Sequence, residues 1–161
     1  VIRTAQVRAV LVAAAAAMVV ASIGGTMTDL GPWYRSLRKP DWQPPDAAFG
    51  VIWTTIFAMA AASGVIAWRT TVSRAAREWM IGLFALNGFA NVLWSLLFFR
   101  IKRPDWALIE VFGLWVTIAA LIFFLARISR LAGWLLAPYL AWVSIAALLN
   151  YDVVRANAPF A

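Results

Sequence analysis

The chain contains no cysteine and no histidine in 161 residues. Their absence removes disulfides, thiol nucleophiles, Cys/His metal sites, imidazole general bases and the commonest haem axial ligands. Charge is also scarce: 13% of the residues are charged and 64% hydrophobic, with a mean hydropathy of +0.81. Soluble domains carry about 25% charged residues, so this composition fits a small, single-domain membrane protein. The formal charge is +7, but the 14 Lys and Arg are scattered among all the segments between apolar runs. That is the pattern of basic flanks on membrane helices, and it argues for a lipid bilayer as partner and against nucleic acid.

What the chain has in quantity is long apolar sequence. A helix needs about 20 largely apolar residues to cross roughly 30 Å of hydrocarbon. Segments 9–27, 47–68, 79–99, 106–126 and 131–154 qualify. The expected fold is therefore all-α, a single domain over 1–161 made of five transmembrane helices, with residues 28–46 as a lid loop. Arg3 and Arg8 ahead of Ala13 to Ala17 would also suit a signal peptide. The run stays apolar to Met27, however, and is read as the first helix. Short connections make successive helices antiparallel, so the first loop, the third loop and the C-terminus share one face. Lys and Arg divide seven to seven between the two faces, so the usual excess in cytoplasmic loops does not orient the chain. The alanine-rich, arginine-rich composition leads us to expect a bacterial membrane.

The first loop is no bland linker. Between Trp33 and Pro45 it holds Pro40, Pro44 and Pro45, the aromatics Trp33, Tyr34 and Trp42, and the cations Arg35, Arg38 and Lys39. Proline fixes φ and pushes its predecessor out of the helical region, so an ordered, extended path is expected. The bulky rings need apolar surface to cover, as a lid over the end of a helix bundle would provide.

Stripes at helical spacing place further candidates. Ala13, Ala17, Ala21 and Gly25 form a small-residue ridge expected to pack closely against a neighbouring helix. Phe49, Trp53, Phe57, Ala60 and Gly64 fall on one stripe of the second helix. Asn87, Asn91, Trp94 and Phe98 follow one face of the third. An amide near mid-membrane needs an inward partner, which is either another helix or a ligand. Tyr139, Trp142, Ala146 and Asn150 share a stripe of the fifth helix, with Pro138 expected to kink its first half. Glu110 lies about one turn inside the membrane and is expected to pair with Lys102 or Arg103. Trp68, Trp79, Trp106 and Trp134, at helix ends, read as an interfacial belt. Leu149, Tyr151 and Arg155 satisfy the weak sterol-recognition pattern.

The spacing of Trp33, Tyr34, Leu37, Lys39, Pro40, Trp42, Pro44, Pro45, Phe49 and Trp53 resembles the first-loop pattern of the TspO family, the tryptophan-rich sensory or translocator proteins. Asn87, Asn91 and Trp94, then Trp106-Ala107-Leu108, and Pro138-Tyr139 with Trp142 through Leu149-Asn150 continue the likeness over roughly residues 20–157. Phe57 stands where many members have Tyr, so a role needing that hydroxyl does not carry over. The resemblance implies a pocket of Trp33, Tyr34, Pro45, Trp53, Phe57, Asn87, Asn91, Trp94, Trp142 and Ala146. Arg35, Arg38 and Lys39 would pair with ligand carboxylates at its mouth. It further implies porphyrin as ligand or substrate, no required cofactor, no metal and a homodimer. Flat aromatic walls, a few amides and a basic rim suit a large planar apolar ligand with carboxylate arms. Three functions stay open: a porphyrin receptor or carrier, light-dependent oxidation of protoporphyrin by Trp53 and Trp142, and a structural scaffold.

Overall fold

The computed structural model describes residues 2–160. Its elements are α1 (Ile2–Met27), α2 (Pro32–Ser36), α3 (Asp46–Thr70), α4 (Arg74–Ser95) running on into a π turn (Leu96–Arg100), α5 (Pro104–Ile128), α6 (Arg130–Trp134) and α7 (Ala137–Asn157). There is no strand among the described residues. Five stretches are long and apolar enough to span a membrane, Val7–Met27, Asp46–Thr70, Arg74–Arg100, Pro104–Ile128 and Arg130–Asn157. In hydrocarbon every backbone N–H and C=O must be satisfied within the segment, which leaves helices as the solution for such runs.

The spans form a closed ring rather than a row. The first, α1, lies against α3 and α4; α3 lies against α6 and α7; α7 packs on α5, and α5 returns to α4. Leu114, Ile118, Leu121, Leu125 and Val111 of α5 are almost wholly buried along its inner face. The start of α4 is capped by Ser73, whose Oγ accepts from the Ala76 N–H at 3.3 Å. That contact satisfies one of the orphan donors at a helix start.

The fifth span is two helices, not one kinked helix. It breaks at Leu135 and Leu136, and Pro138 stands in the first turn of α7. A proline inside a continuous helix would clash with the carbonyl four residues back, whereas in a first turn its missing N–H costs nothing. The short α6 is held by a 2.6 Å hydrogen bond from the buried Ser63 Oγ of α3 to the Ala132 carbonyl. It also approaches α5 closely at Gly133, where a Cβ would meet Ala126 Cβ at 2.7 Å and Ala126 Cα at 3.0 Å.

The small-residue ridge of α1 packs only in part. Ala13 and Ala17 are half-buried, but Ala21 is exposed and nothing lies within 4 Å of a Cβ at Gly25. A spacing of four residues advances 40° per step on a helix of 3.6 residues per turn, so the ridge winds off the contact face. The inward stripe continues instead through Val20 and Gly24. A Cβ at Gly88 of α4 would meet Val20 at 3.0 Å.

Because the Ala126 backbone cannot yield as a flexible side chain would, Gly133→Ala is expected to destabilise the bundle by about 1–3 kcal/mol. Gly113→Ala, with open space around its Cβ, serves as the control and should be neutral or slightly stabilising. Thermal unfolding in detergent checks both; equal melting of wild type and Gly133→Ala would show that the α5–α6 approach is not a structural requirement.

Candidate ligand-binding site

The lid opens with a helical turn, because Pro32 suits a helix start and residues 32–36 complete one turn, while the proline-bearing stretch 37–45 lies outside any helix, as expected. That turn sets Trp33 edge-on to Phe98, with centroids 6.2 Å apart, and Tyr34 against Phe99 at 5.6 Å. The π turn makes this docking surface. Its Ile101 N–H reaches back five residues to the Leu96 carbonyl at 2.9 Å, and both Phe98 and Phe99 are buried although they are adjacent in sequence. Such π turns recur at functional sites.

Three contacts clamp the lid to the end of α7. Asn157 accepts from the Arg38 N–H and donates to the Arg38 carbonyl, both at 2.8 Å. Trp42 Nε1 donates to Asp152 Oδ2 at 3.1 Å. Tyr34 OH donates to Asp46 Oδ1 at 3.2 Å and accepts from Gln43 Nε2 at 3.3 Å. Burial, partly offset by the Gln43 hydrogen bond and reinforced by the Asp46 carboxylate, pushes the Tyr34 phenol up to about 12. The cations of the rim are already engaged in part. Lys39 Nζ lies 4.0 Å over the Tyr34 ring, and Arg35 Nε donates to the Leu30 carbonyl at 3.2 Å. The Arg38 side chain is exposed, as is Pro45 where it caps α3.

Deeper in the bundle is a second aromatic group. Trp53 stacks on Phe57 at 5.5 Å and meets Tyr139 edge-on at 6.0 Å, while Phe49 meets Trp142 edge-on at 5.5 Å. Trp142 is 7% exposed, and its indole N–H is buried without an acceptor. Trp94 joins the two groups: it stacks on Phe98 at 5.1 Å and also packs against the core that holds Tyr139 and Trp142. Ala146 follows Trp142 by one turn and is half-buried.

A directed chain of hydrogen bonds runs behind these rings. Asn91 Nδ2 donates to Tyr139 OH at 3.2 Å, and Tyr139 OH donates to Asn87 Oδ1 at 3.3 Å. Asn87 Nδ2 donates to Thr117 Oγ1 at 2.9 Å, and Thr117 Oγ1 to the Leu114 carbonyl at 2.7 Å. The structure thus brings Asn87 and Asn91 beside the aromatic walls and gives both amides protein partners. Tyr139 joins these candidate residues, although sequence reasoning placed it only on the stripe of Trp142. Asn150 serves packing: with Nδ2 donating to the Pro104 carbonyl and Oδ1 accepting from the Leu108 N–H, both at 3.0 Å, it ties α7 to the start of α5.

One expectation fails here. Glu110 has no cationic partner among the described residues, and its Oε2 is buried without a hydrogen bond. Arg103 is taken by its neighbour Asp105, Nε to Oδ1 at 2.8 Å, and Lys102 Nζ lies 6.0 Å from the Trp33 ring. The sterol-pattern residues do not form one surface. Tyr151 and Arg155 are exposed one turn apart, whereas Leu149 is buried in the bundle. No cluster of acids that could hold a metal occurs among the described residues.

The model of the TspO/MBR family matches residues 9–155. The chain is 34% identical to a "Tryptophan-rich protein TspO" of Chlorobaculum tepidum over 125 residues, 78% of this chain and 79% of that one. It is 34% identical to a "Translocator protein" of Sus scrofa over 145 residues, 86% of each chain. It is 32% identical to a "Tryptophan-rich sensory protein" of Cereibacter sphaeroides over 134 residues, 83% of this chain and 82% of the other.

Asn157→Ala removes both bonds to Arg38, each worth about 1 kcal/mol net. Amide exchange at residues 38–43 is expected to rise by at least tenfold with the helices unchanged; unaltered exchange would mean that the clamp does not hold the lid. The raised Tyr34 value sets an alkaline limit on docking. A group that prefers its neutral form when docked keeps its contribution below pH 10, the ordinary tyrosine value, and loses it as the pH climbs towards about 12. Ultraviolet titration should show a late-ionising phenol that Tyr34→Phe removes.

Proposed function

The chain belongs to the TspO/MBR family, and on that premise we propose that it is a membrane receptor or carrier for porphyrins such as protoporphyrin IX and similar planar apolar ligands. It would act in tetrapyrrole sensing, transport or stress response. One observation carries the reading: the Trp142 indole N–H is buried among aromatic rings without an acceptor. A buried unsatisfied donor costs about 1–3 kcal/mol, which a ligand acceptor would recover. Phe49, which meets Trp142 edge-on, and the group of Trp53, Phe57 and Tyr139 beside the same core offer flat apolar walls suited to a large ring system. The exposed Arg38 side chain at the lid is placed for a ligand carboxylate. Fixed amides that hydrogen-bond one another shape the floor without demanding ligand contacts. The expected homodimer is retained as part of this proposal.

A second reading, light-dependent oxidation of protoporphyrin, is favoured by the indoles of Trp53 and Trp142 in the same walls. An indole can donate an electron to a photoexcited porphyrin when the two stack, and molecular oxygen would then be the terminal oxidant.

Titration of protoporphyrin against intrinsic fluorescence in detergent tests both readings. Saturable quenching is expected in the dark, with affinity reduced roughly fivefold in Trp142→Phe, about 1 kcal/mol for one hydrogen bond. It should be unchanged in Trp79→Phe at the exposed end of α4. Equal affinity for wild type, Trp53→Ala and Trp142→Ala would overturn the binding site. Illumination with oxygen then separates the readings, since a new absorbing product that Trp142→Phe fails to make belongs to the enzyme alone.

A further inference from the structure

The acids divide between the two faces far more unevenly than the bases. The face holding the second and fourth loops carries Arg8, Arg69, Arg74, Arg77, Arg127 and Arg130 against a single acid, Glu78, which Arg74 already pairs at 2.8 Å. The lid face sets Asp29, Asp41, Asp46, Asp105, Glu110 and Asp152 against seven cations and is nearly neutral. The loop face is therefore the strongly positive end of the molecule.

On the outside of the bundle at that end lies a groove of about 560 Å³ between α5, α6 and α7. Its cause is local. The fifth span is broken at Leu135 and Leu136, and the side chains facing the break are small: Ala126, Ala137 and Ala141 leave space that larger residues would fill, with Ile122 and Leu140 completing apolar walls. The inner end is marked by a hydrogen bond from Trp115 Nε1 to Ser144 Oγ at 3.0 Å. At the outer end stands Arg130, whose guanidinium has no hydrogen-bond or ion-pair partner among the described residues. Its neighbour Arg127 is turned over the Phe123 ring at 4.2 Å. Trp134, 74% exposed, lines the same mouth at the depth where interfacial indoles sit.

We propose that this groove is a binding site for an anionic glycerophospholipid, with the phosphate on Arg130 and one acyl chain lying against Ala137, Leu140 and Ala141. The dimensions agree. Residues 137–144 of α7 rise about 10 Å at 1.5 Å per residue, within the roughly 15 Å of one leaflet, so the groove receives the upper part of a chain and ends before mid-membrane. Charge selects the headgroup: a zwitterionic lipid gains little from a surface with a large excess of arginine, whereas an anionic one is attracted by each cation. The groove opens on the outer surface between α5 and α7, away from the aromatic walls that face the ring interior, so the lipid site does not depend on the porphyrin reading.

Native mass spectrometry of the full chain, released from micelles containing equal phosphatidylglycerol and phosphatidylcholine, tests the proposal. Retention of one phosphatidylglycerol in preference to phosphatidylcholine is expected. Arg130→Gln should reduce it about fivefold, the worth of one basic residue at a lipid surface. Ala141→Leu, an exposed position that tolerates bulk, should reduce it by filling the groove. Arg74→Gln, which removes a cation from the same face outside the groove, should leave it unchanged. Thermal unfolding confirms that each variant is folded. Equal retention of both lipids, no effect of Arg130→Gln, or equal losses in Arg130→Gln and Arg74→Gln would overturn the site. A shift in the monomer–dimer ratio in Ala141→Leu with lipid retention intact would assign the groove to a second copy of the chain instead.

Discussion

Hydrocarbon offers no water to satisfy a polar group, and that constraint organises this molecule. Each amide or hydroxyl placed inside the bundle must find a partner on another helix or on its own backbone. Ser63 reaches the Ala132 carbonyl across the α3–α6 contact, and Trp115 meets Ser144 across the α5–α7 contact. Asn91, Tyr139, Asn87 and Thr117 form one directed chain through α4, α7 and α5. Such bonds are individually modest in membranes, averaging about 0.6 kcal/mol, but they accept little variation in register or rotation. They define which faces meet in a protein whose helices are apolar nearly all round.

The exceptions are informative for the same reason. Trp142 Nε1 lacks an acceptor in a wall of aromatic rings, and Glu110 Oε2 lacks a donor. The first lies in the core beside the Phe49 ring. Above it the lid is not a loose loop. The Asn157 side chain treats the Arg38 peptide as a paired strand would, and the π turn presents Phe98 and Phe99 together as a seat for Trp33 and Tyr34. Lid, third loop and C-terminus are thereby linked at one end of the bundle, where Arg100 also donates to the Thr26 carbonyl.

The two ends of the molecule differ in kind. The lid end mixes cations and acids and spends several of them on internal contacts. The opposite end is arginine with almost no acid, and it borders a groove created by the broken fifth span. A chain whose cations divide evenly is thus electrostatically polar, because six of its seven acids lie at the lid end.

Hydropathy alone determined that this chain is five membrane-spanning helices, since no other structure satisfies an apolar backbone of that length in lipid. The proline and tryptophan spacing of the first loop alone also marked it as a lid, and helical periodicity put Trp53, Asn87, Asn91, Trp94 and Trp142 on inward faces. Tertiary structure decided what periodicity cannot express. The ring order of the helices chose Thr117 and Tyr139 as partners for the amides, a choice between residues some 30 and 50 positions away in the chain. Side-chain competition gave Arg103 to Asp105 and left Glu110 Oε2 without a hydrogen bond. Pro138 opened a new helix instead of bending an old one, and the α1 ridge unwound from its contact because a four-residue repeat does not match a turn of 3.6. In each case local sequence limits what a residue can do, and the neighbours brought by the fold select which of those possibilities is used.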